Sequence, residues 1–226
     1  MTIADGLAEV TGRIAAACER AGRDPSEVKL VSVSKTFAAD RVREALAAGA
    51  VAIGENRAQE LKEKAATLGG DIEWHFVGHL QTNKVRQVVG VAALIHSVDR
   101  YGLAEAIARR ARSLDLIQDV LIEVNIAGEA AKGGVEPGTA AVFAAQAAAL
   151  EGLRVTGLMT MAPFADDPEA SRPFFRDLAA IGAAVRAELP GATALSMGMT
   201  RDFEVAIEEG ATLVRVGEAI FGPRTR

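Results

Sequence analysis

Residues 30–37 of the chain read LVSVSKTF, and Lys35 stands where the pattern predicts the end of a buried strand. Side chains on a strand alternate faces, so Lys35 shares a face with Val31 and Val33. If those valines enter a core, the lysine follows them to its rim. An amine that loses hydration there becomes easier to deprotonate. A neutral amine can attack an aldehyde and form a Schiff base. The plainer alternative is a lysine that reaches from the rim into solvent.

Two stretches near the other end supply a candidate partner for that chemistry. Residues 196–210, SMGMTRDFEVAIEEG, set Gly198 where backbone N–H groups can approach an anion, with the hydroxyls of Ser196 and Thr200 beside it and a predicted helix following. Residues 215–222, RVGEAIFG, set Gly217 ahead of a second short helical stretch. Helix N-termini favour phosphate. Either stretch alone reads as an ordinary strand-to-helix turn, but together they suggest a phosphate cup. With Lys35 they point to a phosphorylated aldehyde, and pyridoxal 5′-phosphate fits. Arg215 shares a face with Leu213 and is a candidate for the pyridine nitrogen. Because arginine stays protonated, it would keep that nitrogen unprotonated and the ring a poorer electron sink. The alternative for Arg215 is a salt bridge to a rim carboxylate such as Glu55.

The elements that must position these residues alternate along the chain. Strand-like runs occupy 29–34, 51–55, 72–78, 93–98, 119–126, 153–159, 192–197 and 212–217. Helical periodicity fills the gaps, as in Phe174, Leu178, Ile181 and Val185. Gly49 and Gly210 fall at expected helix C-caps, and Asp167-Pro168 at a helix start. An alanine-rich helix over 3–21 precedes the first strand. Such alternation implies right-handed βαβ units, and eight of them predict an α/β fold of the (β/α)8 TIM barrel type. An open doubly wound sheet competes, but no G-x-G-x-x-G follows the first strand. No Pro-, Gly- or Ser-rich linker divides the chain, so residues 1–226 are expected to form one domain.

Composition narrows the function classes. Half of the 226 residues are hydrophobic (50%), aromatics are few (4%), and the net charge is −5. No basic stripe suggests nucleic acid. Cys18 is the single cysteine, which excludes an intrachain disulfide and suggests a reducing compartment. The N-terminus, MTIADGLAEV, lacks the features of a signal peptide, and no apolar run is long enough for a bilayer. A soluble, cytoplasmic protein is expected.

The sequence resembles the pyridoxal phosphate homeostasis protein family, single-domain relatives of the alanine racemase barrel. The resemblance runs over nearly the whole chain. It is carried by VSVSKT (31–36), GEN (54–56), QE (59–60), WHFVGHLQTNK (74–84), HSVD (96–99), VNIAGEAAKGG (124–134), GLMTMAP (157–163), LSMGMTRDFEVAI (195–207) and VRVGEAIFG (214–222). It implies a fold-type-III barrel holding pyridoxal 5′-phosphate as an internal aldimine on Lys35. It further implies phosphate contacts at Ser196, Gly198, Thr200 and Gly217, Arg215 facing the pyridine, and Asn56 lining the cofactor. The chain departs from the family at Arg57, where a tyrosine is frequent, and at His79, where a proline is common.

Family members are generally regarded as cofactor-holding proteins, and the resemblance implies buffering and delivery of the cofactor to apo-enzymes, without ordinary turnover. An amino-acid racemase is the alternative. It needs a base on each face of the substrate; Lys35 is one candidate. The relatives draw the second from a C-terminal β-domain, whereas this sequence ends at Arg226 and holds one tyrosine, Tyr101. A monomer is expected for the same reason. A third reading, a Schiff-base aldolase acting on a sugar phosphate, predicts no bound chromophore.

Other residues invite weaker readings. His75 and His79 are four apart, but along a strand that spans about 13 Å, and His96 is distant in sequence. No metal site is expected. The loop 127–134, AGEAAKGG, reads either as a lid carrying Lys132 or as a solvated loop; it lacks the order of a Walker A motif. Cys18 is expected to pack as a small buried residue, Trp74 and Phe76 to lie under the helices, and Arg23 and Asp24 simply to close the first helix.

Overall fold

The computed structural model describes residues 2–129 and 133–223. Eight parallel strands close into a barrel in sequence order. They are β1 (Lys29–Val33), β2 (Ala52–Glu55), β3 (Glu73–Phe76), β4 (Leu94–Val98), β5 (Gln118–Glu123), β6 (Leu153–Met159), β7 (Ala194–Ser196) and β8 (Leu213–Val216). Helix α1 (Ile3–Arg20) precedes them. Helices α2 (Ala39–Ala47), α3 (Ala58–Leu68), α4 (Val85–Val88), α5 (Tyr101–Arg112), α6 (Ala140–Ala148), α7 (Arg172–Glu188), α8 (Phe203–Glu208) and α9 (Glu218–Phe221) follow successive strands. Among the described residues, no helix is long and apolar enough to cross a membrane.

The alternation of side chains sorts each strand into an inner and an outer set. Val31, Val33, Ala52, Leu94, Leu121, Met159 and Leu213 form a small apolar cluster inside the barrel. Ile53, Trp74, Phe76, Ile95, Val120, Ile122, Leu158, Val214 and Val216 join a larger cluster between sheet and helices. Trp74 and Phe76 thus lie under the helices as expected, which turns His75 inward. Closure pairs Val31 of β1 with Arg215 of β8, so the first and last strands end side by side.

The expected strands and the observed ones differ only at their ends, and α1 occupies nearly the whole predicted span. A reciprocal Thr2–Asp5 capping box starts α1. Its buried stripe of Ile3, Leu7, Val10, Ile14, Ala17 and Cys18 packs against α8 and α9. Arg23 does more than follow α1: its Nη1 donates to the carbonyls of Ile207 and Ala211, at 2.8 and 2.9 Å, and so ties down the end of α8. On α7 the fully buried positions are Phe175, Leu178, Gly182 and Val185. Phe174 and Ile181 are only partly buried beside this seam, and Gly182 lies against Leu195 of β7, where a Cβ would come within 2.8 Å of its side chain.

Glycine substitutions test this packing in opposite directions. A Cβ on Gly157 would lie 1.9 Å from the Ala194 carbonyl oxygen, across the β6–β7 pair. A Cβ on Gly12, exposed in mid-α1, would meet nothing within 4 Å. Gly157→Ala is expected to lower stability by about 2 kcal/mol or more, and Gly12→Ala to raise it by about 0.5–1 kcal/mol. Urea denaturation midpoints check both; equal midpoints for the two variants would contradict the packing described.

Candidate functional site

Lys35 lies, half-buried, in the turn that follows β1 at the C-terminal rim. The turn is closed by a hydrogen bond from Phe37 N–H to the Ser34 carbonyl, 3.1 Å. Thr36 adopts φ +71°. That is a strained conformation for a β-branched residue, and it persists only where the surroundings impose it. Those surroundings come from β2 and α3. Thr36 N–H donates to Glu60 at 2.9 Å. Lys64 Nζ donates to the Ser34 carbonyl at 2.9 Å and to Glu55 Oε1 at 2.5 Å. The Ser34 hydroxyl donates to the same Glu55 oxygen at 2.5 Å. Burial pushes the Glu55 carboxyl up, against the opposing pull of Lys64 and Ser34. Glu55 points away from the barrel axis and pairs with Lys64, so Arg215 does not pair with it.

The last two loops meet the same rim. The Gly198 carbonyl accepts the Arg215 N–H at 3.0 Å. Gly198 has φ +89°, and a Cβ there would lie 2.6 Å from Ala206 Cβ, so α8 packs tightly on this loop. Asp202 organises the loop by accepting Met199 N–H at 2.7 Å and the Ser171 hydroxyl at 3.1 Å. Gly217 lies against the end of β1, where a Cβ would sit 2.9 Å from the Val33 carbonyl oxygen. The N–H groups of Thr200, Arg201, Glu218 and Ala219 have no acceptor among the described residues. These four donors, on the loop after β7 and at the start of α9 after the adjacent β8, suit a phosphate group.

Asn56 follows β2, and its Oδ1 is buried without a hydrogen-bond partner. A native structure rarely leaves a buried amide oxygen unpaired unless a ligand or water completes it. The residues named from the sequence therefore share one end of the barrel: Lys35, Asn56, Gly198, Thr200, Arg215 and Gly217, with Ser196 immediately beneath. Lys132 lies outside the described residues.

Ser196 and Arg215 belong to a polar chain that the sequence did not foreshadow. Arg215 is almost wholly buried. Its Nη1 donates to Ser196 Oγ at 2.5 Å and its Nη2 to the Thr160 carbonyl at 2.9 Å. Ser196 Oγ lies 2.9 Å from His96 Nδ1, and His96 Nε2 lies 2.9 Å from His75 Nδ1. His75 Nε2 reaches Glu73 at 2.9 Å, and Lys29 reaches the same carboxylate oxygen at 2.6 Å. His96, distant from His75 in sequence, is its neighbour because β3 and β4 are adjacent. His79, four residues from His75, instead stands exposed at the mouth, 3.5 Å from Asp99. The signal available in the sequence was the shared inward face of His75 and His96.

Electrostatics follow from burial. Desolvation brings Arg215 down to about 10, opposed by Asp202 and Glu123, so it stays charged near neutrality. Desolvation, then His75 and Arg215, hold His96 well below its ordinary value, and it is neutral. The hydrogen bond from His75 holds Glu73 down at about 2. At the mouth, Glu123 lines a cavity of about 370 Å³ with Val77, Gly78, His79, Met159 and Met161. Burial, then Asp99, pushes Glu123 up to about 7, with Arg215 opposing.

Known proteins resemble this chain over nearly its whole length. Residues 7–225 match the family model described as "Alanine racemase, N-terminal domain". The chain is 47% identical to the pyridoxal phosphate homeostasis protein of Aquifex aeolicus, covering 99% of each. It is 40% identical to the protein of that name from Pseudomonas aeruginosa, covering 99% of this chain and 96% of the other. The structure of PipY from Synechococcus elongatus PCC7942, with PLP bound, superposes with a TM-score of 0.84 at 35% identity, covering 98% of this chain and 100% of the other. The chain belongs to the pyridoxal phosphate homeostasis protein family, within the alanine racemase N-terminal domain class of barrels.

Proposed function

We propose that this protein binds pyridoxal 5′-phosphate at the C-terminal rim and serves cofactor homeostasis, holding and releasing the cofactor without ordinary turnover. The observation that carries the reading is one rim bearing Lys35, Arg215 and four open backbone donors, in a chain whose relatives are named for this cofactor. Lys35 supplies the amine that condenses with the cofactor's aldehyde. Thr200 and the N–H groups around Gly198 and Gly217 bind the phosphate. Asn56 lines the ring, and Arg215, held by Ser196, faces the pyridine nitrogen. The cofactor itself supplies a reactive aldehyde and an electron sink; a charged arginine at the nitrogen weakens that sink. The family names are those of homeostasis proteins rather than enzymes. Tyr101, the single tyrosine, is 44% exposed at the start of α5. Both support this reading over a racemase.

Transfer is the direct test. Protein loaded with pyridoxal phosphate is expected to restore activity to an apo-enzyme that requires this cofactor, while Lys35→Ala, treated alike, retains none to deliver. Turnover of alanine enantiomers at an enzyme-like rate by the loaded protein would overturn the homeostasis reading.

Two further outcomes concern the groups that shape the rim. Lys64→Met leaves Glu55 buried and unpaired, at a cost of about 3 kcal/mol at pH 7. The cost shrinks as pH falls, because Glu55 then takes up a proton, and adding Glu55→Gln recovers most of it. Urea denaturation at pH 5 and 7 measures this; a pH-independent loss would contradict the pairing. Glu123 binds its proton more tightly in the folded protein than in the unfolded chain. Its contribution is full below about 4.5, the ordinary value, and is lost as pH rises through about 7. Glu123→Gln is therefore expected to leave stability unchanged at pH 4 and raise it by on the order of 2 kcal/mol at pH 8. Equal effects at both pH values would contradict the burial of that charge.

A further inference from the structure

The polar chain through the barrel has a direction fixed by its two ends. Arg215 can only donate. Glu73, a carboxylate, can only accept. Between them stand a hydroxyl and two imidazoles, each with one neighbour on either side. If each passes on one donor, Arg215 donates to Ser196, Ser196 Oγ–H to His96 Nδ1, His96 Nε2–H to His75 Nδ1, and His75 Nε2–H to Glu73. Both imidazoles are then neutral, with the hydrogen on Nε2 and a bare Nδ1. Both nitrogens of each imidazole and the hydroxyl of Ser196 are then used. The reverse direction would make His75 a cation donating both ways and His96 a donor to Ser196. The Ser196 hydroxyl would then be a buried donor with no acceptor among the described residues, which is costly.

We propose that Glu73, His75, His96 and Ser196 form a positioning relay that anchors Arg215 from the opposite end of the barrel. Glu73 lies at the start of β3 and is partly exposed, whereas Arg215 lies near the C-terminal end of β8. The relay joins a surface carboxylate at one mouth to the guanidinium assigned to the cofactor at the other. It gives the buried guanidinium an indirect anionic partner without placing a carboxylate beside the ring. Glu73 is itself held by Lys29, so the first and third strands both contribute to the anchor. The Arg154–Asp119 ion pair stands apart from this chain, with Asp119 near the start of β5. None of the four relay residues need touch the cofactor; they act through Arg215. The part of this inference that concerns the cofactor rests on the function proposed above, whereas the direction of the chain does not.

Nitrogen NMR of the imidazoles in protein free of pyridoxal phosphate tests the direction first. Hydrogen on Nε2 with a bare Nδ1 is expected at both His75 and His96. Hydrogen on Nδ1 of either ring, or a cationic His75 at neutral pH, would overturn the relay. Glu73→Ala is then expected to shift the nitrogen resonances of His96, one residue further along the chain than any group Glu73 touches. Asp119→Ala, which removes an ion pair outside the chain, is expected to leave them in place. After loading with pyridoxal phosphate, Glu73→Ala is expected to displace the visible absorption maximum and Asp119→Ala to leave it unmoved. Unshifted His96 nitrogens in Glu73→Ala, or equal shifts in the two variants, would sink the proposal. A protein that shows the expected tautomers but cannot be loaded would refute the cofactor reading and leave the relay standing.

Discussion

A full positive charge inside a closed barrel is the constraint around which this structure is arranged. Burying an unpaired guanidinium is costly, because the interior cannot replace the lost water. Among the described residues, Arg215 has no carboxylate in direct contact. It is held instead by a hydroxyl and a backbone carbonyl, at 2.5 and 2.9 Å. Everything else along the axis follows from that arrangement. The Thr160 carbonyl at the end of β6, the Ser196 hydroxyl on β7 and the imidazoles of β3 and β4 occupy positions that a barrel would otherwise fill with apolar side chains. The apolar inner cluster is small because part of the interior is given to this chain.

The rim depends on a second buried charge, resolved differently. Glu55 and Lys64 pair directly on the outer face of the sheet, and both groups also hold Ser34. The strain at Thr36 is sustained by this bracing and by Glu60. Among the described lysines, Lys35 alone stands beside such a strained residue. The two buried charges thus serve two strands that closure brings together: β1, which delivers the amine, and β8, which delivers the arginine.

Much of this was legible in the sequence, and the limits have physical reasons. The barrel was readable because strands carry period-two patterns and helices carry longer ones, as in Trp74 and Phe76 against inward His75. The shared placement of Lys35, Gly198, Thr200, Arg215 and Gly217 at one rim was readable because each sits at a strand end. Ser196 is expected from the sequence to contact phosphate, yet its oxygen is engaged by Arg215 and His96 in the interior. Side-chain partners across strands depend on barrel register, which no local pattern encodes. The same holds for Lys64, a residue of α3 that braces a turn thirty positions earlier. Arg23 looked like the tail of α1 and proves to close α8, a contact made 184 residues away. In each case the residue type was informative and the partner was not.

The central claim is that Lys35 holds the cofactor. The most direct measurement is visible absorbance of the protein with pyridoxal phosphate, followed by borohydride reduction and mapping of the modified peptide. The account predicts a yellow protein whose absorbance collapses on reduction and whose single adduct lies on Lys35. An adduct on another lysine, or a protein that stays colourless and takes up no cofactor, would contradict it.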